Sequence, residues 1–153
     1  LIVEYFGRDI LMDDGEIDRK KLADHVFNNK EALEKLNSMT HPYVKNEIRK
    51  LIAEAEASGE CRFVALESAI LLECGYEDIC DEFWYVYTKP EIRRQRMKET
   101  RNYSDEKVDS VMRNQQPDEV FFEQCSFVIE NNTTLSDVYD QLKEKLDQQL
   151  MHE

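Results

Sequence analysis

Residues 62–74 read Arg-Phe-Val-Ala-Leu-Glu-Ser-Ala-Ile-Leu-Leu-Glu-Cys, which puts Glu67 at the end of an apolar run and Glu73 after a second apolar step. Short, continuously apolar runs suit strands of a parallel sheet, and the carboxyl ends of such strands carry polar side chains to a ligand crevice. The same pattern fits a Glu that merely caps a strand at the surface, and the local residues leave both readings open. A second cluster lies at 89–101, where Lys89, Arg93, Arg94, Arg96, Lys98 and Arg101 stand against Glu91 and Glu99. Six cations against two acids make a local charge of +4 in a chain whose net charge is −13. Planar guanidinium forks bind phosphate oxygens bidentately, so the patch suits a small polyanion. A run of this kind is also the usual composition of a solvated basic helix face.

The bulk numbers narrow the class. With 153 residues, 41% hydrophobic and 35% charged, the chain can bury a real core in one domain. The net charge argues against nucleic-acid binding, which needs clustered Lys and Arg. No apolar run approaches the roughly 20 residues that span a bilayer, and the start, Leu-Ile-Val-Glu, lacks the basic segment of a signal peptide. A cytoplasmic protein without membrane partners is expected. Cys61, Cys74, Cys80 and Cys125 are widely spaced, which disfavours zinc and predicts free thiols in a reducing compartment, with Cys61 and Cys125 buried. The chain opens in mid-pattern without Met, as a piece of a longer protein would.

The elements that must position these residues follow from periodicity. Asp14-Gly15 signals a turn, and Asp18 caps a helix to about Phe27. A helix over about 30–39 is predicted to break at His41-Pro42, where a new one begins and runs to about Ala57, closed by Ser58-Gly59. Arg62–Leu66, Phe83–Thr88 and Ser126–Glu130 read as strands. Helices are expected at about 90–100, 104–114, 117–124 and 135–149. Strands alternating with helices predict an α/β fold. Three strands make a thin sheet, which suggests that others lie outside the chain.

Several segments, in order, resemble dephospho-CoA kinases, the P-loop kinases of the last step of coenzyme A synthesis. They are Phe6-Gly7 with Asp14-Gly15-Glu16-Ile17-Asp18-Arg19 and Leu22; Leu36-Asn37 with His41-Pro42 and Val44; Glu67 to Glu73; Arg96 with Arg101 and Ser104, followed by Gln115-Gln116-Pro117; and Val128-Ile129-Glu130-Asn131. The chain departs from the family pattern at Ala69 for Pro, at Glu67 and Glu130 for Asp, at Phe122 where a cation is common, and in having no Gly after Asn131. It also holds no two glycines with the spacing of a phosphate-cradling Walker A loop. The resemblance places that loop and the general base, an Asp, upstream of Leu1.

The resemblance implies a P-loop kinase-like parallel sheet with helices on both faces, a helical CoA-side cap at 1–60, a core of 61–88 and 115–153, and a lid at 89–114. It implies transfer of a phosphoryl group from ATP, with Mg²⁺, to the ribose 3′-hydroxyl of dephospho-CoA, by a chain expected to be inactive alone. Arg96 and Arg101 take the catalytic role, stabilising charge on the phosphates. Asp18, Arg19, His41 and Glu73 are assigned to substrate, and Glu67, Gln115 and Asn131 to the nucleotide side. Bland readings stand beside these: Asp18 as a helix cap, His41 as a hydrogen-bonding residue at a helix start, Asn131 as a turn residue. No protein-held metal site is expected. The alternatives are another small P-loop kinase for a nucleotide or nucleoside, and a non-catalytic CoA-binding remnant.

Overall fold

The structure, a computed structural model, describes residues 1–27 and 29–151. The chain forms two compact units, Leu1–Cys74 and Gly75–Glu153.

In the first unit, helix α1 (Ile2–Phe6) leads through a 3-10 turn at Arg8–Ile10 to a miniature hairpin. Leu11 and Ile17 form an antiparallel bridge, and Gly15 takes the left-handed backbone at φ 88° that the tight return requires. Ile10 is fully buried beneath it. The hairpin delivers Asp18 to the start of helix α2 (Arg19–Val26), where its carboxylate accepts from the Lys20 and Lys21 amides at 2.9 and 3.2 Å. Helix α3 (Lys30–Ser58) begins at Asn29, whose side chain accepts from the Ala32 amide, and ends at Gly59 with φ 63°.

The predicted break at Pro42 does not occur, because α3 runs through it as one 29-residue helix. An interior proline removes one backbone bond and costs about 3 kcal/mol. On either side of it, however, each further residue adds a bond to a helix already nucleated, and both flanks are rich in Ala, Leu, Glu and Lys. In the turn before Pro42, the Ser38 and Thr40 hydroxyls donate to the Lys35 and Leu36 carbonyls. The predicted strand Arg62–Leu66 is also corrected. The segment is irregular, and Phe63 and Val64 are 42% and 50% exposed. A strand takes its hydrogen bonds from a neighbouring strand, and among the described residues no strand pairs with this segment. Glu67 therefore sits in an exposed loop and not at a strand tip.

The second unit is an α/β layer of β1 (Trp84–Tyr87), α4 (Pro90–Arg101), α5 (Asp105–Arg113), α6 (Asp118–Gln124), β2 (Phe127–Glu130) and α7 (Leu135–Leu150). The strands are parallel, with Trp84 opposite Phe127 and Tyr87 opposite Glu130. Two strands, where three were expected, make up the sheet among the described residues. Alternation along β1 separates its faces. On one side Lys145 of α7 stands over the Trp84 and Phe127 rings at 5.9 and 5.6 Å. On the other, Phe121 of α6 stacks on Tyr85 at 4.7 Å, and Phe122 packs on Tyr85 and Tyr87. Helices thus cover both faces, as expected. Asn102, in the left-handed region at φ 52°, turns α4 into α5, which Ser104 caps. A reciprocal box between Thr134 and Asp137 starts α7.

Candidate functional site

In the second unit the strands' carboxyl ends are tied together. The Asn131 amide donates to the Tyr87 carbonyl at 2.8 Å, and the buried Thr88 hydroxyl donates to the Asn131 carbonyl at 3.3 Å. Asn132 is committed to structure. Its Oδ1 accepts from the Lys89 amide at the start of α4, and its Nδ2 donates to Glu130, each at 2.8 Å. The half-buried Asn131 side chain has no hydrogen-bond partner among the described residues. Of the two asparagines, the one assigned to the nucleotide is thus the one whose amide is available, at the edge where α/β sheets bind ligands.

The basic run on α4 divides by partner. Arg93 Nη2 donates to both carboxylate oxygens of Asp118 at 3.0 and 2.8 Å, and its Nη1 to Gln115 Oε1 at 3.1 Å. Arg94 pairs with Asp109 at 2.6 Å, and Lys98 pairs with Asp105. These acids belong to α5 and α6, so the pairs bind α4 to its neighbours. Arg96 and Arg101 have no counter-ion among the described residues. They are five positions apart, about 140° around the helix and about 7.5 Å along it. Arg96 is half-buried, and Arg101 is exposed at the end of α4. Gln115, assigned to the nucleotide, accepts from Arg93 through its Oε1.

Tyr85 joins this node from β1, its hydroxyl donating to Asp118 Oδ1 at 2.7 Å. Burial, together with the Asp118 carboxylate, pushes its phenol well above its ordinary value and keeps it a donor. At the opposite end of the sheet, Glu82 accepts from Trp84 Nε1 at 2.6 Å, Gln149 Nε2 at 2.7 Å and Ser126 Oγ at 3.2 Å, with Lys145 at 3.6 Å. The Trp84 hydrogen bond leads the causes that hold its carboxyl below the ordinary range.

In the first unit Asp18 is spent as the α2 cap. The exposed Arg19 and half-buried His41 lack side-chain partners among the described residues, and His41 lies inside α3 rather than at a helix start. Glu67 and Glu73 are exposed, and the charge of Glu73 helps raise the adjacent Cys74 thiol, after burial. All four cysteines are free, as predicted, but Cys61 is exposed and Cys125 only half-buried. Neither edge of an apolar run closed over its thiol. No helix among the described residues is long and apolar enough to cross a membrane.

A recess that the sequence reading did not foresee is lined by Asp9, Lys21, Asp24 and His25. His25 Nε2 lies 2.9 Å from Asp9 Oδ2, and Lys21 Nζ donates to the Leu11 carbonyl at 2.8 Å. Lys21 and His25 are four apart on α2, which was legible; the approach of the 3-10 turn was not. Among the described residues no three His, Cys, Asp or Glu side chains gather as a metal site.

The family description "Dephospho-CoA kinase" matches residues 1–137. A dephospho-CoA kinase of Lactobacillus johnsonii is 33% identical over 145 residues, 95% of this chain and 73% of that protein. One from Carboxydothermus hydrogenoformans is 36% identical over 141 residues, 92% of this chain and 68% of the relative. Among solved structures, a crystal structure from Thermus thermophilus superposes with a TM-score of 0.73 at 29% identity, covering 96% of this chain and 72% of that one. The dephospho-CoA kinase of Campylobacter jejuni gives 0.64 at 26%, covering 95% and 72%.

Proposed function

The chain belongs to the dephospho-CoA kinase family, and from that premise we propose that it serves transfer of the ATP γ-phosphoryl group to the ribose 3′-hydroxyl of dephospho-CoA, giving ADP and coenzyme A. In that step the 3′-oxygen bonds to the γ-phosphorus, the bond from that phosphorus to the β,γ-bridging oxygen breaks with the oxygen staying on ADP, and the hydroxyl proton passes to a base and on to solvent. Such chemistry asks a protein for positioning and charge stabilisation more than for covalent participation.

The observation that carries the assignment is the division of α4. Arg93, Arg94 and Lys98 are neutralised by Asp118, Asp109 and Asp105, while Arg96 and Arg101 have no counter-ion among the described residues. Paired cations hold a helix; unpaired ones are available to phosphate oxygens. On this reading 89–114 acts as a lid, with Arg96 on the phosphates and Arg101 at its α5 end, and Asn131 meets the base. Arg19 and His41, whose side chains have no partner among the described residues, serve the CoA substrate together with Glu73.

Mg²⁺ is expected to arrive with ATP. A nucleotide-borne ion needs only one or two protein carboxylates. Glu67, exposed and without a hydrogen-bond partner among the described residues, suits that part. The ion supplies charge neutralisation at the phosphate oxygens. Because the 153 residues contain no Walker A spacing, the chain by itself is expected to bind ATP weakly.

The test is ADP release, coupled to a spectroscopic readout, from a protein carrying this chain together with a P-loop segment, supplied with Mg-ATP and dephospho-CoA. Turnover with the new phosphate on the 3′-oxygen supports the reading, and background rates sink it. Calorimetry that finds micromolar ATP affinity for the 153-residue chain would contradict the second point.

A further inference from the structure

The Arg93–Asp118 pair sits where α4, α6 and β1 meet. The two side chains are 21% and 18% exposed, far less open than the other ion pairs of α4. Asp118 receives both hydrogen bonds from Arg93 Nη2 and one from the Tyr85 hydroxyl, and Gln115 takes Nη1. Nε is sealed from solvent and has no partner among the described residues. The three hydrogen bonds from Nη1 and Nη2 thus stay within the unit, and Nε is closed to a phosphate. The Arg93 fork is committed to the body of the unit, one helical turn before Arg96, about 4.5 Å along the axis.

We propose that Asp118, with Tyr85 and Gln115, is a positioning residue for phosphoryl transfer: it grips Arg93 and so sets the α4 turn that carries Arg96. The inference rests on the kinase reading above. Contact of Nη2 with both carboxylate oxygens restricts the approach of the pair as well as its distance, and Tyr85, anchored in β1 by stacking on Phe121, fixes the carboxylate in turn. A helix held by a single exposed pair would swing; this one is held at its N-terminal half by a part-buried node and at its C-terminal half by Lys98 and Asp105. Gln115 thereby gains a role in the site without touching nucleotide.

The test uses the kinase that carries this chain. Asp118→Asn preserves shape and removes the charge. Its kcat should fall about 10–100-fold, the range expected when a reacting group is misplaced by an ångström or so, while KM for ATP and dephospho-CoA stays within about twofold. Because Asp118 acts through Arg96, adding Asp118→Asn to Arg96→Ala should leave turnover within about twofold of Arg96→Ala alone. Losses that multiply, or an Asp118→Asn enzyme with wild-type kcat, overturn the proposal. Tyr85→Phe, which keeps the stacked ring, should give a smaller loss of the same kind and covers the case in which Asp118→Asn does not fold. Hydrogen exchange supplies an arm independent of activity. Asp118→Asn should speed exchange of the Arg96–Thr100 amides about tenfold or more relative to those of α7, and unchanged exchange overturns the brace. A wild-type enzyme without turnover would remove the kinase reading instead, and exchange would still decide the brace.

Discussion

Asp9 Oδ2 lies 2.9 Å from His25 Nε2, joining the 3-10 turn to helix α2 beside Lys21 and Asp24. The hydrogen bond from His25 holds the Asp9 carboxyl below its ordinary value of 3.8. A depressed acid binds its proton less readily when folded than when unfolded. Its stabilisation is therefore complete above the ordinary carboxylate range and fades as pH falls through the lowered value. Asp105 beside Lys98 shifts the same way. Urea midpoints taken from about pH 6 to about pH 2 should decline on the acid side, and Asp9→Asn should make that limb shallower. An identical acid limb in the variant would remove Asp9 from the account.

Pro42 interrupts the backbone bonding of a helix that continues past it on both sides. Pro42→Ala restores an N–H for the Ser38 carbonyl and gives up only the stiffness that proline lends the unfolded chain. The net gain should be about 1–2 kcal/mol in chemical denaturation. If His41 serves substrate, kcat/KM for dephospho-CoA should fall in the same variant as its turn repositions. Lower stability would mean that Pro42 shapes α3 in a way the backbone count misses.

What could be read in advance was local. Asp18 caps α2 where its type and place say it should, because the cap closes within three residues; Ser104 and the Thr134–Asp137 box close over the same short range. The runs at Trp84–Tyr87 and Phe127–Glu130 were recognisable from continuous apolarity. Phe63–Leu66 has the same composition, yet a strand is a relation between segments, and composition does not supply the neighbour. The site divides on the same line. That residues 89–101 are basic is visible in the sequence; that Asp118, Asp109 and Asp105 pair three of its six cations is a fact of tertiary structure, and on α4 it leaves Arg96 and Arg101 unpaired among the described residues. Cys61 erred for a related reason, since the edge of an apolar run is buried only if something packs on the run.

Glu82 gathers Trp84, Ser126, Lys145 and Gln149, and so fastens both strand starts to α7. Glu82→Ala leaves the indole N–H without its acceptor. Stability should drop by about 1.5–3 kcal/mol, the range for hydrogen bonds to a charged group. Trp84 is the single tryptophan, so its emission should shift on the same substitution. An unmoved spectrum and midpoint would mean that solvent replaces the carboxylate at no cost.

Arg94 and Arg96 are two residues apart and should respond in opposite ways. Arg94 is paired with Asp109 and about one-third exposed. Arg94→Ala should cost about 0.2–1 kcal/mol of stability with turnover near wild type. Arg96→Ala should leave the melting temperature in place and lower kcat about 100-fold or more, with smaller changes in KM, as for loss of a charge-stabilising donor. Equal kinetics in the two variants would return Arg96 to the basic surface.

Asn131 and Asn132 offer the sharpest contrast at the sheet's carboxyl edge. Asn132 supplies the acceptor for the Lys89 amide and a donor to Glu130, holding the start of α4 to the end of β2. Asn132→Ala removes both bonds and should destabilise by about 1 kcal/mol or more while ATP KM barely moves. Asn131 contributes only its backbone to that junction, and Ala keeps the backbone. Asn131→Ala should therefore melt like wild type and raise KM for ATP several-fold, because a pocket that hydrogen-bonds a base loses a polar partner. GTP, which presents a different hydrogen-bonding edge, should then be discriminated against less strongly. Should Asn131→Ala instead lose stability and keep its ATP KM, the residue is a turn element, and the base contact must be sought elsewhere along this edge.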